Sequence, residues 1–157
     1  YVSAALVTLK WPNDPMVAGL KAGGILVESG SVGDGTSWVA VGIGVNLAHS
    51  PVAAERPATN LAAHRQAGAP DPLETAGRLA THFQRWMEIW TQYGFEPIAS
   101  AWTARAHGLG EPCVARLANE TLEGIAEGLD ADGALRLRLP DGMLRRITAG
   151  DVFFGGS

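Results

Sequence analysis

Twelve basic residues occur in this 157-residue chain, and only Lys10 and Lys21 are lysines; the other ten are arginine. The distinction is chemical. Arginine presents a planar fork, whereas lysine carries a compact point charge that reaches a phosphate or carboxylate oxygen from one side. Lys10 opens Lys10-Trp11-Pro12-Asn13-Asp14, and Lys21 opens Lys21-Ala22-Gly23-Gly24-Ile25-Leu26-Val27-Glu28, so each ammonium borders a strand end marked by proline or glycine. About 4 Å from an anionic oxygen, an ammonium contributes on the order of 4 kcal/mol at an intermediate dielectric. That is enough to hold an anion and to stabilise charge developing at an attacked phosphorus or carbonyl. The ordinary alternative is a solvated surface lysine. Placement of the chain's only two ammonium side chains in one short unit favours the functional reading.

Asn13, Asp14 and Asn46 follow strand-like runs that should be neighbours, so their side chains can converge on one place; a turn-forming role accounts for them equally well. Gly42 and Gly44 fall on one face of their strand by the two-residue period. They suit either a bulge or a flat ligand lying on the sheet. The four histidines, His49, His64, His82 and His107, are scattered without ligand-like spacing, and Cys113 stands alone, so no metal site is expected. Neither Gly33-Asp34-Gly35 nor Gly42-Ile43-Gly44 opens a helix, which excludes dinucleotide and P-loop fingerprints.

Residues 4–9 form an apolar strand, 15–22 a loop between proline breaks, Gly24 to Glu28 a buried strand, and Trp38 to Val45 a third strand after a glycine-rich turn. Together they suggest an antiparallel meander within a larger sheet. The stretch 48–70 is irregular, with Ala58-Thr59-Asn60-Leu61 opening a short helical turn. Asp71-Pro72-Leu73-Glu74 is a strong helix start: acidic cap, proline at the first position, glutamate three residues on. The helix runs to Tyr93 with Ala76, Leu79, Ala80, Phe83, Trp86, Met87, Trp90 and Tyr93 at helical spacing. A shorter helix spans Pro97 to about His107. From Gly108 onward five short strand-like pieces (113–117, 121–129, 134–139, 143–148 and 151–154) are punctuated by Asp132-Gly133 and Asp141-Gly142 hairpin signals. They point to a small closed or nearly closed β-barrel.

The fold class is therefore α+β: a mixed or antiparallel sheet with packed helices over 1–108, then a small barrel over 109–157. With 46% hydrophobic and 18% charged residues the chain can bury a core. A formal charge of −4 argues against general binding to nucleic acid or an anionic membrane. No apolar run is long enough to span a membrane, no signal peptide is evident, and lone Cys113 excludes a disulfide framework. A cytoplasmic setting is the expectation. The chain begins with Tyr1 and enters a strand-like run almost at once, as a piece of something longer would.

The Lys10-Trp11-Pro12-Asn13-Asp14 block, Lys21 eleven residues after Lys10, Gly24-Ile25-Leu26-Val27-Glu28 and Gly42-Ile43-Gly44-Val45-Asn46 together resemble the biotin protein ligases. Gly128 to Gly133, Ala134-Leu135 and Ile147-Thr148-Ala149-Gly150-Asp151-Val152 resemble that family's SH3-like C-terminal domain, so the likeness spans essentially the whole chain. It implies a truncated catalytic domain of the architecture shared with class II aminoacyl-tRNA synthetases. It also implies ATP-dependent activation of biotin to biotinyl-5'-AMP, then transfer to a lysine of a biotin carboxyl carrier protein, with Mg²⁺ accompanying ATP. By the same resemblance Lys21 is the catalytic lysine, contacting the biotin carboxylate and the α-phosphate. Gly24, Gly42 and Gly44 match positions near biotin. Asn13 and Asn46 match positions near the nucleotide, with Lys10 and Asp14 supporting its phosphates.

The family's glycine- and arginine-rich loop precedes the Lys10 block and has no counterpart here; Arg56, Arg65, Arg145 and Arg146 do not replace it. The expectation is a parent ligase whose piece alone is inactive or nearly so. A lipoate-type ligase is a sibling reading that the Trp-Pro-Asn-Asp block disfavours. A non-catalytic module that binds carrier domains, or associates with itself as a homodimer, is the reading from another class.

Overall fold

The computed structural model describes residues 1–51 and 57–155. Arg56 lies outside the described residues. Two compact units are present: Tyr1–Val7 with Asn13–Pro70, and Thr8–Pro12 with Asp71–Ser157.

In the first unit a 3-10 turn at Ala4–Leu6 occupies the start of the expected strand, which forms only from Val7, in β1 (Val7–Lys10), whose residues from Thr8 onward count with the second unit. The expected loop over 15–22 is instead a tight hairpin of β2 (Asp14–Val17) and β3 (Leu20–Lys21), paired Met16↔Lys21 and Val17↔Leu20. Its two turn residues, Ala18 and Gly19, sit at φ 51° and 76°. That double left-handed geometry matches the right-handed twist of the flanking strands. Pro15 does not break the hairpin: it stands near the start of β2, where its carbonyl accepts Ala22 N–H at 2.9 Å.

β4 (Gly23–Ser31) and β5 (Ser37–Val45) form a nine-residue antiparallel hairpin, in register from Gly23↔Val45 to Ser31↔Ser37. Its turn is tied by Gly35 N–H to Val32 O and by Thr36 N–H to the Asp34 carboxylate. Alternation puts Gly24, Leu26, Glu28 and Gly30 on one face with Gly44, Gly42, Ala40 and Trp38 as cross-strand partners. The core of this unit is Val17, Ala22 and Leu61, joined by Val2, Val7 and Leu47. Leu61 enters it from a second 3-10 turn, Leu61–His64, capped by Asn60. The short helical turn expected there is present.

The second unit contains α1 (Pro72–Tyr93), capped by the Asp71 carboxylate on Glu74 N–H and ended at Gly94, and α2 (Glu96–Thr103), shorter than expected. No residue of α1 is buried. Phe83, Trp86, Met87, Trp90 and Tyr93, read as packing residues, are exposed to 38–63%. Five strands follow: β6 (Pro112–Arg116), β7 (Thr121–Leu129), β8 (Leu135–Arg138), β9 (Leu144–Ile147) and β10 (Asp151–Phe154). They form an antiparallel sheet in the order β10-β6-β7-β8-β9, with β10 and β9 at its edges; closure into a barrel is not part of this pairing. Leu135 and Leu137 are fully buried while Arg138 faces out, as the alternation predicts. The core comprises Trp11, Cys113, Ala115, Ala126, Leu135, Leu137, Ile147 and Val152. The α+β class expected from the sequence is the one found.

Candidate functional site

The first unit brings seven of the eight expected residues into one neighbourhood. Asp14 begins β2 and Lys21 ends β3, and the hairpin between them sets Lys21 Nζ 2.5 Å from Asp14 Oδ1. Asp14 is largely shielded, with 11% of its side chain exposed against 39% for Lys21. The carboxylate thus orients an ammonium that keeps open faces toward solvent. Directly after β3, the chain enters β4, where a Cβ built on Gly24 would stand 3.8 Å from Cε and Nζ of Lys21. The lysine therefore lies over the glycine-bearing face of the hairpin.

Gly24 pairs with Gly44 and Leu26 with Gly42, so the face shared by Gly42 and Gly44 includes Gly24 as well. A Cβ at Gly42 or Gly44 would meet only ordinary contacts of 3.8–3.9 Å within the chain. Folding alone does not require glycine at these two positions; the bare surface leaves room for a flat ligand. Gly23, which the sequence reading left out of the site, differs. A Cβ there would collide with the Gly44 carbonyl oxygen, so its glycine is a packing requirement that lets the strands close beside the site.

Asn13 and Asn46 are tied to the same short segment. Ile25 N–H donates to Asn13 O at 3.0 Å, and Asn46 N–H donates to Ala22 O at 2.8 Å. Asn13 is exposed. Asn46 is half-buried, and its Nδ2 donates to Thr59 O at 2.9 Å. Thr59 is buried and shares a 2.8 Å hydrogen bond through Oγ1 with His64 Nε2. The sequence marks Thr59 only as part of a helical turn and His64 only as one of four scattered histidines, and gives neither a place in the site. An alanine- and proline-rich stretch carries no periodicity that would mark them.

Lys10 stands apart. It belongs to the second unit, is 6% exposed, and donates from Nζ to Val152 O at 3.3 Å. Its neighbour Trp11 is 5% exposed and donates from Nε1 to Gly133 O at 3.2 Å. Leu9 adds main-chain bonds to Arg105 O and from His107 N–H, both 2.8 Å. A lysine this buried, bonded to main chain, acts as an anchor; the phosphate-supporting role expected for it finds no support in this position. The two lysines thus divide between the units. No group of three or more His, Cys, Asp or Glu side chains arranged for a metal is found among the described residues. No helix among them is long and apolar enough to cross a membrane.

The family described as "Biotin protein ligase C terminal domain" matches residues 108–155. The biotin–[acetyl-CoA-carboxylase] ligase of Paracoccus denitrificans is 48% identical over 157 residues, covering 98% of this chain and 65% of that protein. The bifunctional ligase/repressor BirA of Bacillus subtilis is 31% identical, covering 94% of this chain and 46% of its own length. The chain thus spans roughly half to two thirds of the curated relatives it matches. Among solved structures, a biotin protein ligase-like protein of unknown function from Silicibacter is 28% identical with a TM-score of 0.68, covering 90% of this chain and 60% of that one. The biotin protein ligase of Aquifex aeolicus in complex with biotin and ATP, 21% identical, shares the fold with a TM-score of 0.79 over 95% of this chain and 62% of its own. The C-terminal match and a relative at nearly half identity agree: the chain is similar along 98% of its length to a biotin protein ligase, and residues 108–155 match that family's C-terminal domain.

Proposed function

We propose that the protein activates biotin with ATP to biotinyl-5'-AMP and passes the acyl group to a lysine of a biotin carboxyl carrier protein. The observation that carries this is the Lys21 ammonium, oriented by Asp14 over the face that bears Gly24, Gly42 and Gly44. Biotin lies on that face with its carboxylate at Lys21. The α-phosphate of ATP is also anionic, so attack requires a fixed cation that lowers the repulsion and sets the two groups in line. The carboxylate oxygen attacks the α-phosphorus and pyrophosphate leaves. In the second step a neutral carrier lysine attacks the mixed anhydride and AMP departs.

Asn13, Asp14 and Asn46 serve the nucleotide side of this site. Mg²⁺ fits as part of the ATP complex, since magnesium is usually held by substrate phosphates, waters and one or two carboxylates, and Asp14 is the carboxylate at hand. We assign residues 1–108 to the catalytic portion and 109–157 to the SH3-like C-terminal domain, in a cytoplasmic protein able to self-associate.

The test is biotin-dependent exchange of pyrophosphate into ATP by the protein at its full natural length, followed by mass spectrometry of a carrier domain. A biotin-dependent exchange and a biotin-sized mass increase on one lysine support the reading. Exchange that ignores biotin would overturn it.

A further inference from the structure

Thr59 sits at the junction of two residues assigned to the site, although the sequence marks it only as part of a short helical turn. Three of its groups are committed. Its N–H donates to Lys21 O at 2.8 Å, its carbonyl accepts Asn46 Nδ2 at 2.9 Å, and its Oγ1 is bonded to His64 Nε2 at 2.8 Å. The surrounding loop is threaded onto the same strands. Lys21 N–H donates to Pro57 O, Ala58 forms a parallel bridge with Lys21, Leu61 N–H donates to Asn46 O, and Ala62 N–H donates to Leu47 O. Thr59 is 5% exposed, so each polar group that lost its partner would be left away from water. The residues between Thr59 and His64 are closed on themselves by Asn60 Oδ1, which accepts Ala63 N–H at 3.0 Å.

The geometry points to Thr59 as a positioning residue for the nucleotide side of the site, latched by His64. The inference rests on the assignment of Asn46 to that side. One hydrogen of the Asn46 amide is spent on Thr59, which fixes the plane of the amide and leaves its oxygen and second hydrogen in one orientation for a ligand. The hydroxyl–imidazole bond closes the loop and so aims the Thr59 carbonyl. Removing the hydroxyl leaves His64 Nε2 without its partner and frees that carbonyl, while the main chain of β3 remains held by Pro57. The ATP side should therefore loosen more than the biotin side.

Two measurements on the full natural-length protein test this, with Thr59→Val, Thr59→Ser, His64→Ala and His64→Gln. In the biotin-dependent exchange assay, Thr59→Val and His64→Ala should raise the KM for ATP about tenfold, with kcat and the KM for biotin within about twofold. Thr59→Ser and His64→Gln, which keep a hydrogen-bonding atom, should restore most of it. Hydrogen exchange of the ¹⁵N-labelled Asn46 side-chain amide reads the latch without any catalysis. It should be slow in the native protein and in Thr59→Ser, and at least tenfold faster in Thr59→Val. Equal losses in every kinetic parameter, or an Asn46 amide that exchanges alike in Thr59→Val and the native protein, would overturn the positioning role. Native protein that shows a protected Asn46 amide but no exchange activity would sink the ligase reading and leave the latch standing.

Discussion

Asp14 and Lys21 meet at 2.5 Å because two residues, Ala18 and Gly19, turn one short strand back on the other. The pair is local in sequence and formed by a hairpin, so the ammonium is oriented by its own loop. A partly exposed ion pair of this kind adds only about 0.2–1 kcal/mol to stability, which leaves its value to the site.

Lys21→Ala should lower biotin-dependent adenylate formation by about 10²–10³-fold, the range seen when one stabilising donor is removed from a developing charge. Thermal melting should move little. Asp14→Asn should act more mildly, through a raised KM for ATP, because it frees the ammonium without deleting it. Exchange kinetics together with circular dichroism melts measure both.

The glycines separate into two kinds. A Cβ at Gly42 or Gly44 meets no collision and both positions are exposed, so Gly42→Val and Gly44→Val should fold, yet weaken biotin binding at least tenfold by calorimetry. Gly23→Ala forces a Cβ into the Gly44 carbonyl and should destabilise by about 1–3 kcal/mol. Biotin affinity that survives in Gly42→Val would detach the bare face from ligand binding.

Lys10→Ala should cost about 1–3 kcal/mol of stability, since it strands the buried Val152 carbonyl. Urea unfolding measures that loss. The contrast with Lys21→Ala is the informative result: one lysine should shift the unfolding midpoint, the other the chemistry.

Burial pushes the Cys113 thiol above its ordinary value, only partly offset by a main-chain hydrogen bond from Ala126. The thiolate is the reactive form. Iodoacetamide at pH 8 should therefore leave native Cys113 unmodified while alkylating it fully in denaturant, as read by intact mass.

Glu127 and Asp132 are held below the usual carboxylate range, Glu127 mainly by its hydrogen bonds to Arg138 and Asp132 mainly by its hydrogen bond to Arg146. A folded-state value below the unfolded one means the stabilisation is complete above the ordinary carboxylate range and fades as pH falls toward the lowered values. Melting temperature should thus drop below about pH 4. Arg146→Met should flatten part of that decline; an unchanged slope would remove the arginine from it.

Much of this was legible in the residues. The helix cap at Asp71, the alternation of Leu135 and Leu137 with Arg136 and Arg138, and the two aspartate-glycine turns are local signals that the fold obeys. The shared face of Gly42 and Gly44 follows from the period of a strand, and the pairing of Gly24 with Gly44 adds the third glycine. What stayed hidden depends on contacts distant in sequence. Lys10 looked like a ligand-facing cation because its burial depends on Val152, 142 residues away. Thr59 and His64 sit in a stretch without periodicity, and only their bonds to β3 and to Asn46 reveal them. The hairpin at 14–21 reads as loop in the sequence because Pro12 and Pro15 look like breaks, whereas Pro15 sits near the start of β2.

The five-residue block from Lys10 to Asp14 is, physically, two things joined at a peptide bond. Lys10 and Trp11 are sunk in the second unit through Val152 and Gly133, while Asp14 orients the ammonium of the first. Anyone transplanting this block into another scaffold to confer ligand recognition would import its root along with its fingertip, and the root would find no soil. Only Asn13-Asp14 with the following hairpin is portable.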